Sequence, residues 1–503
     1  MLLLRRARLL DLRTATLGEP TDVLVDDTVA AVGPRAAGMS DPSRRTPDGF
    51  EELDLDGRIL MPGLWDEHVH VNQWALASRR FSLSQDAEPQ QVLAEVAEHA
   101  ARRDTGSTDD DLIGFGFRAS TWPHNPTAAD LDAVSGQRPT ILVSADLHST
   151  WCNTAALAKY GLEGSGFLRE QASFDLQTRL SDVDPLVLDG WVASCGAAAA
   201  KKGIVGIRDM EFSTDIDTWL RREESRRCLH RVDVAVYPER LDEAVAAGLR
   251  TGQKPSPCRP DGRTRVAMGP LKIISDGSMS TRTAWCCTPY PGAGGPQKEG
   301  IDSVPPAELT SLMERAHRAG LECAVHAIGD RAVEMTLDSF EATGARGSME
   351  HAQLVRDEDI PRFATLGVTA SVQPLHMVDD RDSADVMWAD RVDRAFRFHD
   401  LLQAGASLVF GSDCPVSPVD PWAAVRMAVE RTADHRPPWH PEQAVSMSQA
   451  LLASTRHVPM VEAGGPGNVI AVGSNPFELR GGTLAGLTSD LTVVGGEVTA
   501  SAL

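Results

Sequence analysis

Nothing in the 503 residues approaches the roughly 18 consecutive apolar positions that a membrane-spanning helix needs, so a soluble protein is expected. Positive charge is scarce. Lys and Arg number 49 against 71 Asp and Glu, a formal net charge of −22, and the acids are scattered rather than gathered in a tail. That sign argues against nucleic acid or an anionic membrane as a partner. The eight cysteines (Cys152, Cys195, Cys228, Cys258, Cys286, Cys287, Cys323 and Cys414) contain no CxxC and no paired framework. A thiolate metal site or disulfide scaffold is therefore not expected, and reduced thiols suit a cytoplasmic protein. The first residues lack the long apolar centre and cleavage site of a secretory signal, which points the same way. No Gly-rich phosphate turn follows an early strand, which weighs against an open, doubly wound nucleotide-binding sheet, and no internal repeat is evident.

What is present centres on Met61-Pro-Gly-Leu-Trp-Asp-Glu-His-Val-His70. Residues two apart on a strand point to one face, so His68 and His70 can offer both imidazoles to a single metal ion. Two histidines also fall at this spacing by chance in a chain with 14 of them. The context favours the metal: Pro62-Gly63 interrupts one strand, Leu64 starts another, and Asp66 is expected to orient a ligand histidine.

Residues 1 to 60 read as β, with an exposed loop over 34–49, and the tail from about 466 returns to short β patterns. The two ends are expected to pair as one small β-sandwich domain (1–60 and 460–503). The barrel-sized remainder, 61–459, carries an inserted subdomain over 72–184 with its own strands and helices. From Pro185 onward helices and strands alternate. Counted with the His68 strand, eight strands are expected near 64–70, 204–209, 232–237, 266–274, 321–326, 348–351, 368–372 and 407–413. Eight βα units predict an α/β fold, a closed (β/α)8 TIM-like barrel with an insert after its first strand.

In such barrels the chemistry sits at the C-terminal ends of the strands. Those ends carry His68 and His70 on the first, His326 on the fifth, His351 on the sixth and Asp413 on the eighth, with Lys272 on the fourth. Imidazoles and a carboxylate suit zinc or a related divalent metal. An ammonium cannot ligate. Lys272 therefore either lies merely near a mononuclear site or reacts with carbon dioxide to form an anionic carbamate whose two oxygens bridge two metals.

The ordered set resembles the metal-dependent amidohydrolase superfamily, in the branch similar to N-substituted formamide deformylases. The resemblance rests on Pro62 to His70, Leu271-Lys-Ile-Ile-Ser-Asp-Gly-Ser-Met-Ser-Thr-Arg-Thr-Ala284, His326-Ala-Ile-Gly-Asp330, Met349-Glu-His-Ala-Gln353, Ser371-Val-Gln-Pro374 and Gly411-Ser-Asp-Cys-Pro-Val416. Within the insert it rests on Leu147 to Ala156 and Gly166 to Glu170, so it covers nearly the whole chain. It implies two metal ions, zinc by expectation, with His68, His70, carbamylated Lys272 and Asp413 on one and Lys272, His326 and His351 on the other. The family's Gly-Ala-Asp before its C-terminal strand is Gly467-Asn468 here, which puts the packing of the β-domain in doubt rather than the catalysis.

Two metals would lower the pKa of a bridging water and polarise a carbonyl, with Asp413 as general base and then acid. A capping role before Pro415 is the structural alternative for Asp413. His148 falls in a segment that in the family lines the substrate pocket, where it could bind the substrate carbonyl or developing oxyanion, though a histidine in an insert equally suits an ordinary surface or core role. Trp122 and His376 are weaker substrate-binding candidates, and Asp330 and Glu350 candidate partners of the ligands. The expected reaction is hydrolysis of a C–N amide bond in a small molecule. A lactone, ester or ring amide is the alternative on the same site, and a non-catalytic ligand-binding relative is weighed against by the presence of all six candidate ligands. A homo-oligomer is compatible with this surface, and nothing in it selects one.

Overall fold

The computed structural model describes residues 1–34, 36, 51–84, 87–102, 111–119, 122, 124–255 and 263–503. The expected loop over 34–49, save Pro34 and Ala36, and Cys258 lie outside the described residues. Eight parallel strands form the centre: β1 (Leu64–Val69), β2 (Ile204–Asp209), β3 (Arg231–Val236), β4 (Val266–Ile274), β5 (Cys323–Ala327), β6 (Gly347–His351), β7 (Thr369–Val372) and β8 (Leu408–Phe410). Each pairs with its successor, in the order expected from the βα rhythm. Closure is made past the end of β8, where Val69 bridges Cys414 in parallel. There the Asp413 N–H donates to the His68 carbonyl at 2.7 Å and the His70 N–H to that of Cys414 at 2.9 Å. Gly411 permits this approach, since a Cβ on it would lie 2.7 Å from the His68 Cβ.

The helices around the barrel are amphipathic for a readable reason. In Pro306–Ala319, Leu309, Leu312, Met313 and Ala316 recur at helical spacing and are buried, and Gly320 ends the helix in a left-handed cap. Helices Pro421–Glu430 and Met447–Ser454 were not legible as separate units because their apolar residues run almost round the helix.

Both chain ends enter one eight-stranded mixed sheet, with Ile59–Pro62 between Asn468–Val472 and Leu2–Asp11. Its two faces alternate with period two. Leu60, Val469, Ala471, Leu491 and Val493 pack in the sheet's own core, whereas Ile59, Met61, Ile470, Val472 and Val494 join the barrel's core. Gly63 thus marks the handover from this sheet to β1. At the departure from the family pattern, the Asn468 side-chain oxygen accepts from Arg231 of β3 at 3.3 Å and from the Gly495 N–H at 3.1 Å, so it ties the terminal sheet to the barrel. After β1 the insert builds a separate five-stranded sheet from Phe81–Ser82, Leu112–Phe117, Thr140–Ser144, Ser149–Cys152 and Phe167–Arg169. Its helix Ala128–Ser135 opens on a capping box between Thr127 and Asp130, as the sequence indicates.

Candidate functional site

The strand ends bring the ionisable groups together. His68 Nε2 lies 3.4 Å and His70 Nε2 3.2 Å from Asp413 Oδ1, and His376 Nε2 lies 3.7 Å from Asp413 Oδ2. The His326 and His351 rings are 4.5 Å apart, and His351 is 5.2 Å from His68. Ligand-type atoms of His68, His351 and Asp413 all fall within 4.8 Å of one another, a spacing a metal ion can span. His351 and Asp413 hold left-handed backbone, with φ of 71° and 57°. Such conformations cost of order 1–3 kcal/mol each and persist only where the surroundings impose them. Here the β1–β8 hydrogen bonds do so for Asp413.

Burial sets the charge states. It pushes His68 down to about 4 and His351 well below the ordinary histidine value, so both are neutral imidazoles, the form that binds metal. Burial alone would raise Asp413 and Glu350. The facing histidines, His68 first, lower Asp413 instead, and the His68 hydrogen bond with nearby Lys272 and Arg208 lowers Glu350 to about 2, so both carboxylates are the ionised partners and the neutral His68 imidazole meets Glu350 through a ring N–H. Lys272, 1% exposed, has an Nζ with no hydrogen-bond partner among the described residues. Burial lowers its pKa against the pull of Glu350 and Asp413.

All six sequence-predicted ligands are buried or nearly so around this point, and the three substrate candidates reach the space beside it. His148, Trp122 and His376 line, with His326, His351 and Asp413, a cavity of about 310 Å³. Trp122 is partly fixed by packing: its indole N–H donates to the Ala87 carbonyl at 3.1 Å and its ring stacks on Phe117. Asp413 caps no helix. That task falls to Asp420, which accepts from the Ala423 N–H.

Two expectations need correction. Asp66 orients backbone rather than an imidazole: it accepts the N–H of His68 at 3.2 Å and of Ser412 at 2.8 Å, because a carboxylate two residues back reaches the main chain first. Asp330 touches no candidate ligand; it accepts the Cys287 N–H at 2.7 Å. Glu350 does meet the expectation, accepting from His68 Nδ1 at 2.7 Å, with Ser348 donating to its other oxygen. Sequence reasoning missed Asp276. It takes the N–H groups of Ile328 and Gly329 and lies 3.4 Å from His326 Nε2, while its Asp-Gly setting reads as a plain turn.

Since His68 takes its orientation and tautomer from Glu350, Glu350→Gln is expected to weaken divalent metal binding by about 10- to 100-fold. Competition with a chromogenic chelator measures it. Unchanged affinity would mean that the ring is held by packing alone.

The amidohydrolase family's profile matches residues 51–500. The chain belongs to that family. As an amidohydrolase it is a hydrolase of amide or related bonds. Among curated relatives of this amidohydrolase, Protein LONG AFTER FAR-RED 3 of Arabidopsis thaliana is 27% identical over 454 residues, 81% of this chain and 75% of its own. The N-substituted formamide deformylase of Arthrobacter pascens is 23% identical over 501 residues, 90% of each chain. Among solved structures, an uncharacterized metal-dependent hydrolase from Pyrococcus horikoshii OT3 superposes with a TM-score of 0.77 over 95% of this chain and 98% of its own. At 23% identity that likeness speaks for the fold.

Proposed function

We propose that this amidohydrolase uses divalent metal to cleave the C–N bond of a small amide, with N-substituted formamides as the first class to examine. The observation that carries the reading is the convergence of neutral imidazoles, a buried lysine with no hydrogen-bond partner among the described residues and an ionised aspartate beside a cavity of about 310 Å³. The donor set fits the group. Burial disfavours Lys272 as an ammonium, and once deprotonated its amine can add to carbon dioxide, losing a further proton to give an anion with two oxygens.

On this reading His68, His70, Lys272 and Asp413 would hold one ion, and Lys272, His326 and His351 the other. Bound there, the metal supplies Lewis acidity that lowers the pKa of water and polarises the scissile carbonyl. Asp413 takes the proton of the attacking water and delivers it to the departing nitrogen. His148 donates a hydrogen bond to the carbonyl oxygen as negative charge develops on it. His376, against the second oxygen of Asp413, and Trp122 bound the space that a substrate fills. The cavity's size suits a small molecule. The deformylase relative supports the formamide class.

A panel of N-substituted formamides, other small amides, and matched esters and lactones tests this with the metal-loaded enzyme. Formamides turned over with the highest kcat/KM support the reading. Preferential cleavage of lactones or esters would overturn the substrate class while leaving the metal chemistry intact.

A further inference from the structure

His148 stands on the turn between two insert strands, Thr140–Ser144 and Ser149–Cys152, and lines the cavity beside Asp413. Its Nδ1 lies 2.9 Å from Glu170 Oε2. Its backbone N–H donates to Asp146 at 3.1 Å, and its ring meets Phe174 edge-on. Glu170 has φ of 47°, a left-handed conformation that a glutamate rarely adopts. Its other carboxylate oxygen accepts from Thr283, in the loop after β4, at 3.3 Å. From that same loop Ser280 donates to Asp146. Two carboxylates flanking His148 are therefore each clamped by a hydroxyl of the barrel. With Nδ1 turned to Glu170, Nε2 is the nitrogen left for an occupant of the cavity.

We propose that Glu170 is a positioning residue: it holds His148 as an imidazolium with Nε2–H available to the carbonyl oxygen of the substrate. The backbone strain at Glu170 is consistent with that task, since strain of this kind collects where geometry is held for function. The groups facing His148 agree in sign. Burial disfavours the cation, but Glu170, Asp146 and, from the barrel, Asp413 outweigh it and raise His148 above the ordinary value of 6.5. The cavity wall also carries Arg118, which pairs with Asp379, and Arg169, which donates to Asn125. A donor that is already charged gains strength as the oxyanion forms. The contribution is present at low pH and lost as pH rises through the raised pKa.

The role in turnover rests on the proposed amide hydrolysis, whereas the charge state can be read without it. In metal-loaded enzyme with ¹⁵N-labelled histidine, His148, assigned by loss of its signal in His148→Gln, is expected to titrate above 6.5. In Glu170→Gln it is expected to fall, because the hydrogen bond and charge of the carboxylate are what raise it. The alkaline limb of kcat/KM is expected to move to lower pH with it, with kcat at pH 8 down about 10-fold or more. In a His148→Gln background, Glu170→Gln is expected to change kcat little, because the carboxylate acts through the imidazole. Equal losses in both backgrounds, or a His148 titration unmoved by Glu170→Gln, would overturn the proposal. A normal titration shift with no turnover of any amide would overturn the amide reading and leave the pair standing.

Discussion

Lys272→Ala is expected to strip the protein of most bound metal and to lower kcat by about 10³-fold or more, the range for loss of metal-assisted activation. Three observations converge on this lysine. Its Nζ is buried without a hydrogen-bond partner among the described residues, burial lowers its pKa, and it stands near Glu350, Asp413 and His68. A neutral amine is the form that combines with carbon dioxide. Alanine leaves a void in place of the bridging anion, so acetate or propionate at millimolar concentration is expected to restore part of both metal content and activity. Lys272→Met separates this from damage to the fold. It fills similar volume without charge, so the metal-free variant is expected to melt no lower than metal-free wild type. Metal content unchanged in the alanine variant would refute the bridging role.

Asp413→Asn is expected to lower kcat by about 10²- to 10⁴-fold on the best amide substrate, since the amide cannot accept the proton of water and return it to nitrogen. The substitution keeps the shape of a residue whose backbone is already held by the β1–β8 hydrogen bonds, so the barrel is expected to close as before. Circular dichroism and a melting curve check that. If the variant is folded and retains metal but loses little activity, the proton is handled elsewhere, with His376, 3.7 Å from Asp413 and outside the proposed ligand set, the candidate.

The barrel and the ligand candidates were legible because they depend on short-range order. Each βα unit announces itself by an apolar strand followed by a helical period, and a strand's end residue is read directly from sequence. His68, His326, His351 and Asp413 could be found that way. What escaped depends on three-dimensional approach. Glu170 reaches His148 across 22 residues because the antiparallel pairing of Ser149 with Arg169 sets the two side by side, with the Glu170 N–H donating to the His148 carbonyl at 2.9 Å, and nothing local in Gly166 to Glu170 forecasts that register. Asp276 serves His326 from the far side of a turn that reads as a mere breaker. Asp66 was misassigned for the opposite reason: the local pull of main-chain N–H groups on a nearby carboxylate overrides its reach toward a ring. The expected association of the chain ends rested on the β patterns at the two ends, which do not say how they pair. The shared sheet arises because Ile59–Pro62 and Asn468–Val472 each present one apolar face to the barrel and one to the sheet's own core.

The central claim is that these strand ends hold catalytic metal. Its most direct measurement is inductively coupled plasma mass spectrometry of the purified protein, paired with formamide hydrolysis before and after chelation. About two divalent ions per chain are expected, with activity lost on their removal and restored by adding zinc or a related ion. Full activity in metal-free protein would contradict it.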